Sequence, residues 1–196
     1  GLDTLQMIYF LSPNTYRLHW TTSADELVEK IAAPYKKFWT EERRTLQQQS
    51  GLTEMQVISL ASIVQLESNK RDEQPRVAGL YLNRIGKNIK LAADPTIIFA
   101  KKIKEGWDRK IQRVYFKDLA IESPYNTYKY TGIPPGPICM PNPSAIDAVL
   151  RPDKHHYIYF VADPSRPGYH SYAATGEEHE KNAQVYREWA DKNKVK

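Results

Sequence analysis

Residues 52–69, LTEMQVISLASIVQLESN, constrain this chain more than any other stretch, because they read as a helix whose apolar stripe runs into a carboxylate. Thr53 is placed to cap the N-terminus, and Gln56 three residues later completes a capping box, so the helix starts near Glu54. Val57, Leu60, Ala61 and Val64 follow the i, i+3, i+4, i+7 spacing of a buried face, and Glu67 is the next position on that face. Burial disfavours the ionised form of a carboxyl. Glu67 is therefore expected to hold its proton above the ordinary carboxylate range, toward about 6, as a general acid requires. The same residue also fits an ordinary solvated glutamate at a helix end.

With 196 residues, 41% hydrophobic and 26% charged, the chain can bury one good core, or one domain and a fragment. The single Cys139 excludes an intramolecular disulfide framework and a cysteine-cluster zinc site. It stands in a Pro-rich loop with no histidine near it in sequence, a poor setting for a nucleophile. The five histidines show no metal-binding spacing, so neither a metal nor an organic cofactor is expected. No run of about 18 apolar residues is present. No signal peptide precedes Gly1, so either the chain is cytoplasmic or a targeting segment lies upstream of it. A net charge of +5 suits an anionic partner, such as nucleic acid, an acidic envelope polymer or a membrane surface. The lysines and arginines fall in short groups broken by acids, without a helix-turn-helix, zinc finger or RNA-binding aromatic motif, so nucleic acid is not expected as a partner.

Three zones follow one another without an internal repeat. MIYFL and TYRLHWTT, within residues 1–22, have the aromatic and β-branched character of short strands around a Ser12-Pro13-Asn14 turn. A helix starting after Thr22 or Ser23 carries Leu27, Ile31, Tyr35 and Phe38 on one side, and the polar QQQSG is read as a break before the helix at 52–69. A further helix is predicted over 74–84, with Val77, Leu80, Tyr81 and Arg84 on one face and Gly86 as its stop. Residues 118–143 form a long Pro-, Gly- and Tyr-rich loop, expected to be an ordered binding surface. HHYIYFVAD at 155–163 reads as a buried strand, and 177–194 as an amphipathic helix ending in a basic tail.

Several separate motifs carry a family resemblance: ASIVQLE ending at Glu67, VAGLYLNR ending at Arg84, Ala93-Asp94-Pro95-Thr96, Pro124-Tyr125-Asn126-Thr127-Tyr128, GIPPGPI from Gly132 to Ile138, and Tyr159-Phe160-Val161. In this order and spacing they resemble the YceG-like family, the endolytic murein transglycosylases. The resemblance implies an α+β catalytic domain over 51–196, helices packed on a largely antiparallel sheet, preceded over 1–50 by the remnant of a small LysM-like domain and a linking helix. It implies peptidoglycan glycan strands as substrate and cell-wall synthesis proteins as partners. It also implies a place in the bacterial envelope, held to the inner membrane by an N-terminal anchor outside this sequence, with the catalytic domain on the extracytoplasmic side.

The implied chemistry is lytic cleavage of the β-1,4 bond between N-acetylmuramic acid and N-acetylglucosamine within strands, leaving 1,6-anhydromuramic ends. Ordinary glycosidases need two carboxylates, whereas a lytic enzyme can use one, first as acid and then as base. Glu67 is the candidate for both steps, and the Glu67-Ser68 pair is similar to the Glu-Ser of other lytic transglycosylases. The family often has a second acid where this chain has Gln65, which lies off the stripe that points Glu67 inward, and an His-Asn pair where it has His179-Glu180. Ser68 and Gln65 are grouped with the substrate site. Asp94 and Thr96 could offer a carboxylate and a hydroxyl to the cleft or simply begin a helix, with Asp94 as cap. Tyr125, Asn126, Thr127 and Tyr128 offer flat faces, amide and hydroxyl suited to sugar rings, or else pack on themselves. Asn83 could be a cleft amide or a helix cap. His170 and His179 read as structural hydrogen-bonders. Two other functions fit the same residues: a hydrolytic muramidase using Glu67 with Asp94, and a non-catalytic glycan-binding module in which Gln65 marks lost activity.

Overall fold

The computed structural model describes residues 10–193 apart from 12, 109 and 112. Its elements are α1 (Ala24–Phe38), α2 (Glu41–Ser50), α3 (Glu54–Glu67), α4 (Gln74–Gly86), α5 (Asp94–Glu105), a 3-10 helix (Phe116–Ala120), α6 (Pro143–Leu150), β1 (Tyr159–Ala162), β2 (His170–Ala173) and α7 (Gly176–Lys192). The class is α+β, and the antiparallel sheet is a single ribbon in which Tyr159 pairs with Ala173 and Ala162 with His170.

α3 is the axis of the fold. Thr53 Oγ1 accepts from the Gln56 amide at 3.2 Å and the Gln56 side chain accepts from the Thr53 amide at 2.8 Å, the capping box read from sequence. Every residue from Val57 to Val64 is buried, so the helix is covered all round rather than along one stripe. The reason is that α4, α5 and α6 pack against it from different sides. Removing Leu60 or Ile63 from water contributes about 1.5–3 kcal/mol each. Even the serines are inside: Ser62 Oγ donates to Ser59 O at 2.7 Å and accepts from the Ile138 amide at 2.9 Å, stapling the Pro-rich loop onto the helix.

Several expectations need correction. The QQQSG segment is not a break: Gln47, Gln48 and Gln49 lie inside α2, and only Gly51, with φ 72°, stops it in the left-handed region. Glutamine is a good helix former, and Arg43 fixes the helix on α6 through two bonds to Asp147 at 2.8 and 2.9 Å. Trp39 belongs to the main core, with Tyr35, Phe38 and Leu46 packed against it. TYRLHWTT forms no strand among the described residues; MIYFL falls mostly on residues outside those described, so the LysM-like remnant gains no support from the described residues. The strand at 155–163 shortens to β1 and is half-buried, since one face packs on α7 and the ribbon has a single partner strand. The basic tail beyond residue 193 lies outside the described residues.

Gly79 in α4 permits a close backbone approach. A Cβ there would lie 2.4 Å from the Asp153 carbonyl and 2.9 Å from His155 Nε2, so the segment leading into β1 can rest directly on the helix. Asn83 and Arg84 hold that segment from the next turn. Asn83 Nδ2 donates to the His155 and Tyr157 carbonyls at 2.8 and 3.0 Å, and Arg84 donates to Ile158 O and Leu91 O, each at 2.6 Å.

Candidate active site

Glu67 is the last residue of α3, and α4 passes alongside it. Tyr81, completely buried in α4, donates its phenol to Glu67 Oε1 at 2.9 Å. Burial raises the Glu67 carboxyl to about 7; the Tyr81 hydrogen bond opposes this, Asp94 adds to it by repulsion, and His170 and Arg84 oppose it more weakly. The side chain nonetheless keeps a partial opening to solvent. Tyr81 itself is held well above its ordinary 10 by burial and by the Glu67 charge, so it always donates. With Oε1 engaged as acceptor, a proton on Glu67 belongs on Oε2.

Asp94 is the first residue of α5, in the first turn where a carboxylate is favoured by the helix dipole. It is exposed and does not cap the helix; Ala93 takes the cap position and Pro95 follows in the first turn. Tyr128 donates to Asp94 Oδ1 at 2.6 Å, and burial together with that bond holds its phenol protonated. Ala92, just before, has φ 47°, a left-handed conformation that costs an alanine about 1 kcal/mol. Thr127 fixes this bend: its carbonyl accepts from the Ala92 amide and its Oγ1 from the Ala93 amide, each at 3.0 Å.

The structure thus brings Glu67, Asp94 and Tyr128 within electrostatic reach of one another. Most of the other candidates are turned inward. Thr96 is fully buried, donating to Ala93 O at 2.6 Å and lying 2.8 Å from Thr127 Oγ1. Tyr125 packs against Phe99 with ring centres 4.7 Å apart, and Asn126 donates to Leu119 O and Ile121 O at 2.9 and 2.8 Å. The side-chain polar groups of Thr96, Asn126 and Thr127 are bonded inside the protein and Tyr125 is buried against Phe99, the arrangement of a self-packed turn at 125–128 and, for Thr96, of a residue in the first turn of α5. Ser68 is buried and bonded to Glu73 at 2.7 Å. The Asn83 amide clamps the 155–157 segment, donating to the His155 and Tyr157 carbonyls. Gln65 faces the Pro-rich loop: its Oε1 accepts from the Asn142 amide at 2.6 Å and its Nε2 donates to Met140 O at 3.3 Å. Cys139 is pushed up to about 11 by burial, which leaves it a thiol. His170 bonds Glu73, and His179 stacks on Tyr159 with ring centres 5.0 Å apart.

Sequence reasoning did not single out Tyr81 as a site residue, nor Glu73. The signal for Tyr81 was present: a tyrosine on the buried face of a helix must find a partner for its hydroxyl. Among the described residues, no group of three or more His, Cys, Asp or Glu is arranged to hold a metal ion, and no helix is long and apolar enough to cross a membrane.

The sequence matches the YceG-like family over residues 4–185. It is 30% identical over 177 residues to the endolytic murein transglycosylase of Bacillus subtilis, a match covering 90% of this chain and 47% of that protein. It is 30% identical over 173 residues to the endolytic murein transglycosylase of Streptococcus pneumoniae strain D39, covering 88% of this chain and 31% of that protein. The chain thus spans about half or less of the length of these curated relatives. The crystal structure of a YceG-like protein from Listeria monocytogenes superposes with a TM-score of 0.75 at 29% identity, covering 88% of this chain and 54% of the other.

Proposed function

The chain belongs to the YceG-like family, and on that premise we propose that it carries the catalytic domain of an endolytic murein transglycosylase, with Glu67 as the single acid and base. The observation that carries the reading is the Glu67 carboxyl, desolvated to about 7 and fixed by Tyr81 through one oxygen while the other is left for substrate. An ordinary carboxyl at 4.5 would be protonated in only about one molecule in 300 at pH 7, whereas Glu67 is protonated in about half.

In the first step Glu67 Oε2–H gives its proton to the glycosidic oxygen as the bond from the anomeric carbon of N-acetylmuramic acid breaks, and the N-acetylglucosamine side leaves as an alcohol. In the second, the C6 hydroxyl of the same muramic residue attacks the anomeric carbon, and its proton passes to the Glu67 carboxylate. The bond formed closes the 1,6-anhydro ring, no water is consumed, and Glu67 is restored. Tyr81 donates to the carboxylate between the two steps, when the charge on Glu67 is largest. Asp94 and Tyr128 border the site and supply a fixed negative dipole for the cationic sugar of the transition state. Glycan strands of peptidoglycan are the substrate on this reading, the cell envelope its location, and wall-synthesis proteins its partners.

The position of Asp94 favours one rival, hydrolysis with Asp94 activating water. Digestion of purified glycan strands, with product masses, separates the two: anhydro ends one water lighter support lysis, and reducing ends support hydrolysis. Glu67→Gln should abolish both, and normal turnover by that variant would remove Glu67 from the mechanism. Release of no fragment by the unaltered protein would leave a glycan-binding module.

A further inference from the structure

Glu73 is a buried carboxylate, 5% exposed, that the mechanism above does not use. Burial alone would raise it, yet hydrogen bonds from His170 and Ser68 hold it down to about 2, so it is an anion at every working pH. Its Oε1 accepts from the His170 backbone amide at 2.7 Å. Its Oε2 lies 3.1 Å from His170 Nδ1 and accepts from Ser68 Oγ at 2.7 Å. An ionised carboxylate only accepts, so His170 carries a proton on Nδ1.

Ser68 follows Glu67 directly and caps the C-terminus of α3 in an extended conformation. No glycine closes this helix with a left-handed turn, and helix ends fray unless something holds them. Ser68 is held at every polar atom: its amide donates to Val64 O at 3.0 Å, its carbonyl accepts from Gln74 Nε2 at 3.0 Å, and its Oγ accepts from the Lys70 amide at 3.1 Å while donating to Glu73. Glu73 is the one member of this set that also reaches β2, through both nitrogens of His170 that face it. The His170 ring meets Phe160 edge-on at 4.9 Å, and Phe160 meets Tyr81, the partner of Glu67, at 6.1 Å.

We infer that Glu73 is a positioning residue for Glu67: through Ser68 and His170 it ties the end of α3 to β2 and so keeps the Glu67 carboxyl in register with Tyr81. This rests on the catalytic reading of Glu67. The groups facing Glu67 are Tyr81 and Arg84 from α4, Asp94 from α5, Tyr128 from the loop and His170 from β2. Those facing Glu73 are Ser68, His170, Tyr172 and Tyr169.

The test is Glu73→Gln, nearly isosteric, read in two ways. On glycan strands, kcat falls roughly ten- to a hundredfold while KM stays within about twofold, the penalty of displacing a reacting group by about 1 Å. Carboxyl carbon NMR reads the same tie without turnover. Because burial is the largest cause of the Glu67 shift, a loosened helix end admits water and Glu67 titrates at least about half a pH unit lower than in the unaltered protein. Ser68→Ala removes one hydroxyl from the tie and moves both readouts in the same direction by less, which covers the case in which Glu73→Gln does not fold. Unchanged kcat and unchanged Glu67 titration with only a lower melting temperature would overturn the inference, leaving Glu73 a structural anchor. A higher KM at constant kcat would also overturn it, assigning Glu73 to glycan binding. If the unaltered protein releases no fragment but the NMR shift appears, the proposed function fails and the positioning tie stands.

Discussion

Replacing Glu67 by glutamine should make this protein more stable at neutral pH, by an amount that the raised carboxyl sets. Glu67 binds its proton more tightly in the folded state, at about 7, than unfolded, at 4.5. Below pH 4.5 both states hold the proton and the carboxyl costs nothing. Between 4.5 and 7 the unfolded chain ionises freely while the folded one resists, so stability falls as pH rises; above 7 both are ionised and the loss is complete. The linkage gives a penalty of about 1 kcal/mol at pH 5, about 2 at pH 6 and about 3 above pH 7.5. Glutamine is permanently neutral and still accepts from Tyr81. The gap between Glu67→Gln and the unaltered protein should therefore be near its minimum at pH 4 and wider by about 3 kcal/mol at pH 8, a relative gain of roughly 6–12 °C in melting temperature for a chain of this size. Thermal melts of both proteins from pH 4 to pH 8 measure it. A variant that becomes less stable as pH rises would mean that Glu67 is a carboxylate held in a charge pair, and the general-acid reasoning would fall.

Four further outcomes follow from the same geometry. Tyr81→Phe removes the bond that lowers the Glu67 carboxyl, so the fall in rate at alkaline pH should move to higher pH, with kcat down about tenfold or more from lost orientation; an unmoved pH–rate profile would show that Tyr81 only packs. Asp94→Asn keeps the Tyr128 bond but removes a repelling charge, so the same limb should move to lower pH with anhydro products retained; loss of all turnover would favour the hydrolytic route. Gln65→Glu sets a carboxylate against the Met140 carbonyl and should cost about 1 kcal/mol in denaturant unfolding while activity stays within about tenfold; a gain from nothing to full activity would move the acid to position 65. Gly79→Ala drives a methyl to 2.4 Å from the Asp153 carbonyl and should cost about 1–3 kcal/mol, read as a lower denaturation midpoint.

What could be read from the residues was what is local. The caps at Ser23 and Thr53, the helices they open and the acid at the end of α3 are set by neighbours within a turn or two, and the structure has them where the pattern puts them. The polar α2 was missed because its stability comes from Arg43 reaching Asp147, 104 residues away. TYRLHWTT has strand-like residues but pairs with no described strand, and strand preference expresses itself only against a neighbouring strand. The site divides the same way. Glu67 follows from periodicity, whereas its surroundings come from afar: Asp94 and Tyr128 are 34 residues apart, and Glu73 and His170 are 97 apart. At 125–128 a tyrosine- and amide-rich composition serves a sugar surface and a self-packed turn equally, and it is burial that separates the half-buried Tyr128 from its buried neighbours.

The stability lost to Glu67 and the chemistry proposed for it have one origin. An acid that must give up a proton and take one back within a single turnover works best when neither form is strongly preferred at the working pH, which places its pKa near 7. Water cannot tune a carboxyl that far; desolvation can, and burial is the largest influence on Glu67. Desolvation requires a wall, and the all-round burial of α3 from Val57 to Val64 provides it up to the turn before Glu67. The wall also has to be rigid, since a frayed last turn would let water back and return the carboxyl toward 4.5. Two kinds of restraint meet that need from opposite sides: Tyr81 fixes one carboxyl oxygen directly, and the Ser68–Glu73–His170 set fixes the backbone that follows. A single-carboxylate mechanism therefore draws on far more of this fold than one residue, and substitutions that leave Glu67 in place but loosen either restraint should be felt first in the alkaline limb of the rate profile and only afterwards in the melting temperature.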